Sequence, residues 1–311
     1  MRILVLGAGG TGGYFGGRLA QTGVDVTFLV RPQRALFLHD NGLIIDSGKG
    51  NEQIPVKTVT ADYLESHGHY DLILLTCKAY DLDNAITAIS PAVGSGTTVM
   101  PFLNGLVHLD RLDNIFGKEK VLGGLCHISA TLDSAGTVVH LPPFVHRLVF
   151  GPRFPEQRDV CDSIAALFAT AEFDTSIDDN IMLGMWEKFT LLSALAASTC
   201  LMRGNVGDIL NTRDGETLLT EIIRECQTIA SKSGYPNRPK AVGFMETVLK
   251  THGSTLAASM LRDLESGKQV EADHIVGDIL RRGQSFNLPV TLLQTAYCHL
   301  QVYENQQAKK E

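Results

Sequence analysis

The sequence predicts an α/β protein in which an N-terminal doubly wound parallel sheet is followed by an all-helical C-terminal domain. Three observations predict it: an apolar strand enters a glycine-rich turn within residues 2–12, strands and helices alternate up to residue 177, and no clear strand follows. The chain has 311 residues, more than a single hydrophobic core usually serves. We therefore expect two domains, over residues 1–178 and 179–311.

The first strand, Arg2–Leu6, runs into the turn Gly7-Ala8-Gly9-Gly10-Thr11-Gly12. Gly7 permits the tight turn, Gly9 lets the backbone approach a pyrophosphate, and Gly12 lets the next helix pack close to the strand. The helix predicted over Gly10–Thr22 directs its first amides, including those of Gly10 and Thr11, toward the phosphates. With a stop at Gly23 and a second strand over Asp25–Val30, the order favours a Rossmann-like dinucleotide-binding unit over a glycine turn without a ligand.

The residues after the second strand indicate which dinucleotide is bound. A site that prefers NAD usually has an Asp or Glu about 20 residues beyond the glycines, where it accepts a hydrogen bond from the ribose 2′-hydroxyl. This chain has Val30-Arg31-Pro32-Gln33-Arg34 there. Because a guanidinium donates in a fork that suits a 2′-phosphate, Arg31 favours NADPH; the alternative is a solvated charge at a strand end.

The remaining strands of the first domain predict a ligand-binding edge. The apolar runs Tyr70–Lys78 and Thr97–Leu103 are predicted strands, with a helix over Asp81–Ile89 between them. Their carboxyl ends deliver Lys78 and Asn104 to the edge where such sheets bind ligands, although Asn104-Gly105 is also a common turn pair. A β-rich stretch over 120–151, a helix over 156–170 and a short strand over 173–177 complete the domain.

The helix predicted over Asp179–Met202 has an unusual charge pattern. Between Ile181 and Met202 the formal charges are Glu187 and Lys188, in otherwise apolar surroundings. A helix that is apolar nearly all round is buried, and a buried ammonium is costly unless it is paired or hydrogen-bonded. Lys188 is therefore a candidate for a lysine that faces a cleft, with snorkelling to water as the alternative. The uninterrupted apolar part is too short to span a membrane.

Composition and charge exclude several classes of function. A net charge of −7 argues against nucleic acid bound through a broad basic surface. Six dispersed cysteines without a Cys-x-x-Cys pair, and a strand at the N-terminus in place of a secretion signal, favour a cytoplasmic protein with reduced thiols. No metal site is predicted, since His67-Gly68-His69 lacks supporting ligands. The oligomeric state is left open, a homodimer included, and the polar tail Glu304–Glu311 is expected to fray.

Six motifs together resemble the ketopantoate reductases, also called 2-dehydropantoate 2-reductases. They are the glycine turn at 7–12, Arg31, Cys77-Lys78-Ala79-Tyr80, Leu103-Asn104-Gly105, Trp186-Glu187-Lys188-Phe189, and Ser259-Met260-Leu261-Arg262-Asp263 followed by Glu271. The resemblance covers most of the chain in the family's order. It implies an N-terminal NADPH-binding domain, a helical C-terminal domain that closes over the cleft, and reduction of a 2-oxo acid to a 2-hydroxy acid.

The resemblance also implies roles for single residues. Lys188 corresponds to the catalytic lysine and Glu271 to its supporting glutamate, Lys78 and Asn104 lie near cofactor and substrate, and Ser259 contacts the substrate. When a hydride reaches a ketone carbon, negative charge develops on the oxygen, which an ammonium stabilises and protonates. From the residues alone, Glu271 is equally consistent with a solvated carboxylate. Ser259 is also consistent with a helix N-terminal residue, although Ser254 or Thr255 is the better cap.

Three positions depart from the family pattern. Its pocket asparagines correspond here to Leu192, Ala196 and Leu256, which offer no side-chain hydrogen bond to the hydroxyl and carboxylate of ketopantoate. Ketopantoate and a less polar 2-oxo acid are therefore both candidate substrates. A dehydrogenase of polyol phosphates or opines is disfavoured, because the helical half has no obvious Lys and Arg cluster for a phosphate. Retention of Lys188 and Glu271 argues against a non-catalytic NADPH-binding protein.

Overall fold

The computed structural model describes residues 1–309; Lys310 and Glu311, the end of the tail expected to fray, lie outside the described residues. The chain divides into two compact units. The first comprises Met1–Leu103 and His108–Ile181, and the second comprises Asn104–Val107 and Met182–Glu311. A short segment that packs with the second unit is thus inserted between two segments of the first.

The first unit alternates strands and helices, as predicted for an α/β fold. Its strands are β1 (Arg2–Leu6), β2 (Asp25–Leu29), β3 (Leu43–Ser47), β4 (Glu52–Ile54), β5 (Lys57–Val59), β6 (Leu72–Leu75), β7 (Thr98–Pro101), β8 (Gly123–Ile128), β9 (Ala130–Leu132), β10 (Val138–His140), β11 (His146–Gly151) and β12 (Asp174–Ile177). The helices that begin before Ile181 are α1 (Gly10–Gln21), α2 (Pro32–Asn41), α3 (Leu82–Ile89), α4 (Val107–Phe116) and α5 (Arg158–Phe168).

The central sheet has the parallel order β5-β2-β1-β6-β7, which confirms the doubly wound arrangement. The chain fills the sheet outward from β1 in one direction and then in the other. In the register of the three middle strands, Leu6 pairs with both Leu29 and Leu75. Gly7, Val30 and Thr76 therefore leave the sheet side by side, at the carboxyl edge where open α/β sheets bind ligands.

Two smaller sheets complete the first unit, in the orders β4-β3-β10-β9 and β12-β11-β8. The former packs on α1, whose glycines face it. A Cβ on Gly13 would lie 2.7 Å from Val138, and a Cβ on Gly17 would lie 2.8 Å from Ile45. These glycines therefore let the small sheet approach the first helix of the dinucleotide-binding unit.

The second unit is helical, as predicted, and residues 182–309 contain no strand. Its elements are α6 (Ile181–Met202), α7 (Val206–Leu210), α8 (Gly215–Lys232), α9 (Pro239–Leu249), α10 (Ser259–Glu265), a π-helix (Asp273–Gly277), α11 (Asp278–Ser285) and α12 (Thr291–Gln307). Among residues 1–309, no helix combines the length and the apolarity that crossing a membrane requires.

Several predicted boundaries differ from the structure by a few residues, and three of the differences are described here. Helix α6 begins at Ile181, not Asp179, because the Asp178 amide donates to the Phe150 carbonyl and Asp179 pairs with Arg158. The prediction of Ser254 or Thr255 as a helix cap was wrong: α10 begins at Ser259, with Ala258 as its N-cap. The expected fraying from Glu304 was also wrong as far as Gln307, since α12 continues to that residue.

Candidate functional site

The glycine turn between β1 and α1 is held by both neighbouring strands. Gly7 has φ +89°, in the left-handed region that favours glycine, and its amide donates to the Leu29 carbonyl at 2.9 Å. At Gly12 any Cβ would clash with the Gly7 carbonyl oxygen and with Thr76 Oγ1. Thr76 in turn donates to the Leu6 carbonyl at 2.7 Å. The turn is therefore fixed before any ligand binds.

One face of the turn is open and suited to an anion. Gly9 is the N-cap of α1, and a Cβ on it would meet no atom within 4 Å. Gly9 has no side chain to cap the first amides of the helix, and the first turn contains no acidic residue. Uncapped amides at the positive end of a helix dipole bind phosphates. The backbone at Gly9, Gly10 and Thr11 thus fits the pyrophosphate of a dinucleotide.

Gly10 has a second role that the sequence did not indicate. A Cβ at this position would clash with the Ala130 carbonyl oxygen in β9. Leu132, at the end of the same strand, lines the cleft beside the turn. Gly10 therefore lets β9 come close to the glycine turn and form a wall there.

The cleft has a volume of about 630 Å³ and lies within the first unit. It is lined by the glycine turn, the residues that follow β2, β5 and β6, and one face of α3. This volume is in the range of about 300 to 1,000 Å³ that is typical of small-molecule sites. Cys77 contributes to the wall, while its neighbour Lys78 is exposed and precedes a short helical turn over Ala79–Asp81.

Arg31 lies at the mouth of this cleft, directly before α2. Its side chain is 89% exposed, and its guanidinium is 4.0 Å from the Asp81 carboxylate. Asp62 lines the same cleft. An exposed pair at this distance is weak, because solvent screens it. The guanidinium is thus available to an anion, with two carboxylates in the cleft that would oppose that anion.

Arg34 lines the cleft, and no role for it was predicted from the sequence. It donates to the Ala8 carbonyl at 2.9 Å and to the Gly136 carbonyl at 2.8 Å, and it lies over the Phe37 ring. Burial lowers the pKa of its guanidinium. Arg34 therefore ties the glycine turn to the loop between β9 and β10. Its position one helical turn after Arg31 was the only available signal.

In the second unit, Lys188 lies on α6 between neighbours that have other partners. Trp186 stacks on Tyr235 at 5.4 Å. Glu187 accepts two hydrogen bonds from the Arg238 side chain, at 2.8 and 2.6 Å. Lys188 itself is half-buried and lies on a different side of the helix from Trp186. The structure therefore assigns Glu187 to an ion pair with Arg238, within the helical unit.

The helix face of Lys188 continues through Leu192 and Ala196 to Thr199, about three helical turns later. Thr199 Oγ1 accepts a hydrogen bond from the Ala258 amide at 3.3 Å. The segment that contains Leu256 and leads into α10 therefore packs on this face. Leu192 and Leu256 are half-buried and Ala196 is buried, whereas Ser259 is exposed at the first position of α10.

Glu271 and Asn104 both adjoin the π-helix. Glu271 is 6% exposed and lies two residues before the start of the π-helix, and its carbonyl accepts from the Ile275 amide at 3.2 Å. Asn104 is half-buried, and the next residue, Gly105, lies against the His274 carbonyl oxygen, where a Cβ would be 2.7 Å away. The structure thus brings the two predicted residues to one element. Among residues 1–309, no group of three His, Cys, Asp or Glu is arranged to hold a metal ion.

Comparison with known proteins follows the same division of the chain. Two sequence models match it: "Ketopantoate reductase PanE/ApbA" over residues 3–153 and "Ketopantoate reductase PanE/ApbA C terminal" over residues 180–304. The "Uncharacterized oxidoreductase YkpB" of Bacillus subtilis is 36% identical over 304 residues, which cover 98% of this chain and 99% of that protein. The 2-dehydropantoate 2-reductase of Pyrococcus abyssi is 28% identical over 299 residues, covering 94% and 95%.

Two solved structures have a similar fold over nearly the whole length of this chain. A PanE/ApbA family ketopantoate reductase from Ralstonia eutropha has a TM-score of 0.88 at 25% identity, covering 99% of this chain and 100% of that chain. A D-mandelate dehydrogenase with NADH and anilino(oxo)acetate also has a TM-score of 0.88, covering 99% of each chain. At 19% identity, this second similarity shows the fold alone.

Proposed function

The chain belongs to the ketopantoate reductase PanE/ApbA family of oxidoreductases, and from that membership we propose that it uses NADPH to reduce a 2-oxo acid to a 2-hydroxy acid. The proposed substrate is 2-dehydropantoate (ketopantoate), and the product is then pantoate. This activity would belong to pantothenate biosynthesis in the cytoplasm. We propose that its binding partners are the small-molecule substrate and the dinucleotide, and that it binds neither nucleic acid nor a membrane.

The open glycine turn above the cleft is the observation that carries this proposal. Gly9 leaves space for a pyrophosphate, and the amides at the start of α1 face that space. Arg31, exposed at the mouth of the cleft, supports NADPH over NADH, because its guanidinium is available to a 2′-phosphate. The bound dinucleotide supplies the hydride.

The second unit supplies the proton and the orientation. We assign Lys188 as the group that stabilises the developing negative charge on the substrate oxygen and donates a proton to it. Glu271 orients Lys188 or accepts a hydrogen bond from the substrate. Asn104 and Lys78 position substrate and nicotinamide, and Ser259, exposed at the start of α10, contacts the substrate.

A less polar 2-oxo acid is a second candidate substrate, favoured by the helix face of Lys188. Leu192 and Ala196 follow the lysine on that face, and the segment of Leu256 packs against it. None of the three side chains forms hydrogen bonds, so a substrate hydroxyl in contact with them loses its water without gaining a partner. An apolar substituent of the substrate loses no hydrogen bond in the same contact.

The test follows the oxidation of NADPH with a panel of 2-oxo acids. Ketopantoate is compared with trimethylpyruvate, which is the same acid without the hydroxyl, and with pyruvate. Turnover of ketopantoate above the others supports the first substrate, and turnover of trimethylpyruvate above ketopantoate supports the second. Binding of NADPH without turnover of any member would contradict the reductase and indicate a non-catalytic binding protein.

A further inference from the structure

A π-helix over Asp273–Gly277 follows Glu271 closely, and two different contacts hold it. Such helices are rare, are usually a single turn long, and occur frequently at functional sites. Here the π-helix separates Glu271 from the regular helix α11, which begins at Asp278. Its conformation therefore sets the position at which the chain presents Glu271.

The first contact is made by its first residue. The Asp273 carboxylate accepts from Arg281 Nη1 at 2.5 Å and from the Tyr297 hydroxyl at 2.6 Å. Burial acts to raise the pKa of Asp273, but hydrogen bonds from Arg281 and Tyr297 outweigh it and lower the pKa. Gly277 makes room for this arrangement, because a Cβ there would lie 2.8 Å from Asp273 Oδ1 and 2.9 Å from the Tyr297 ring. The π-helix is thus anchored to α11 and α12.

The second contact is made by Gly105. It has φ +83°, and a Cβ on it would lie 2.7 Å from the carbonyl oxygen of His274, the second residue of the π-helix. Both features require glycine: the backbone is left-handed, and the close approach leaves no space for a side chain. Gly105 is buried, and Asn104 directly precedes it. The π-helix therefore also supports the loop that presents Asn104.

We propose that the π-helix is a positioning element that fixes Glu271 and Asn104 relative to each other. Its positioning residues are Asp273, Tyr297 and Gly105. None of the three is assigned a contact with substrate or cofactor. This inference rests on the proposed function, because it takes Glu271 and Asn104 to act in the reduction. Its physical basis is that a displacement of about 1 Å at a reacting group lowers the rate by about 100-fold.

Two variants release the π-helix from opposite sides. Tyr297→Phe removes one hydrogen bond to Asp273 and keeps the ring, and Gly105→Ala forces the loop away from His274. Each has a matched control. Thr295→Val removes an exposed hydroxyl from α12 that bonds only within the helix, and Gly243→Ala adds a Cβ in open space on α9.

Steady-state kinetics and hydrogen–deuterium exchange are measured on all four variants and on the unmutated chain. We expect kcat to fall about 10- to 100-fold in Tyr297→Phe and Gly105→Ala, with the KM for NADPH within about two-fold. We also expect Tyr297→Phe to speed exchange in residues 104–107 and Gly105→Ala to speed exchange in residues 271–277. Both controls should match the unmutated chain in both measurements.

Exchange confined to the site of each substitution would overturn the coupling. Faster exchange with unchanged kcat would overturn the positioning role. If the unmutated chain turns over no 2-oxo acid, the proposed function fails, and the exchange data still test the coupling without it.

Discussion

Replacing Arg31 by alanine tests the cofactor assignment directly, and the structure bounds the size of the effect. The side chain is 89% exposed, so its interaction with a 2′-phosphate takes place near the dielectric of water. The competing contact with Asp81, at 4.0 Å, is weak for the same reason. A charge-assisted hydrogen bond contributes about 1 to 3 kcal/mol. We therefore expect Arg31→Ala to weaken NADPH binding by about 5- to 150-fold, while NADH affinity changes little.

The assay is calorimetric titration with NADPH and NADH at low and high salt. The difference between the variant and the unmutated chain should shrink as salt rises, because the site is exposed. Arg213→Ala is the matched control, since Arg213 is also exposed and lies 4.0 Å from a carboxylate, that of Asp214. Equal affinity of the unmutated chain for both dinucleotides would refute the reasoning.

The remaining predictions concern the proton donor, the substrate and the pH range of stability. Lys188→Ala should lower kcat by about 100-fold or more with NADPH affinity nearly unchanged. Near-normal turnover would show that the Lys188 side chain extends to solvent and takes no part in the reaction. The double variant Leu192→Asn/Ala196→Asn should raise the ratio of kcat/KM for ketopantoate to kcat/KM for trimethylpyruvate. A kcat/KM for ketopantoate that already exceeds about 10⁴ M⁻¹s⁻¹ in the unmutated chain would disprove the argument that these apolar positions disfavour ketopantoate. Burial lowers the pKa of His140 and of His146, with further lowering by Arg18 and Lys49, while Asp174 acts to raise the pKa of His146. The unfolded chain thus binds more protons than the folded chain below about pH 6.5, and stability should fall as pH drops through the window between that value and the lower folded-state pKa values. Urea unfolding at a series of pH values checks this, and a midpoint that does not change across the window would contradict it.

The sequence predicted the fold class because its signals are local and repeated. The apolar strand Arg2–Leu6, the glycine turn and the helix after it follow one another directly in the chain, so the local pattern specifies all three. The observed register, with Leu6 opposite both Leu29 and Leu75, then places the turn at the ligand-binding edge. Boundaries were less predictable where a tertiary contact competes with local pattern. Helix α6 begins at Ile181, later than predicted, because Asp178 continues the pairing of β12 with β11. The partner of Asp178 in this pairing, Phe150, is remote in sequence.

The candidate site shows the same limit. Gly7, Gly9, Gly12 and Arg31 lie in one cleft because a short stretch of chain contains the motif and the ribose-side residue. The role of Arg34 in linking the glycine turn to the loop between β9 and β10 was not predicted, since one of its acceptors is the carbonyl of Gly136, which is remote in sequence. The π-helix was missed as well. It depends on contacts of Asp273 with α11 and α12 and of His274 with Gly105, and no periodicity in the sequence reports these contacts.

The insertion of Asn104–Val107 into the first unit's sequence has a consequence for protein engineering. These residues pack with the second unit, although the chain on both sides of them belongs to the first. A chain truncated after Ile181 would keep Gly105 and Leu106 but lose their neighbours, and would expose two residues that are buried in the full protein. A chimera that exchanges the helical unit between relatives must therefore exchange residues 104–107 with it. The natural module is discontinuous, and a single crossover point does not transfer it.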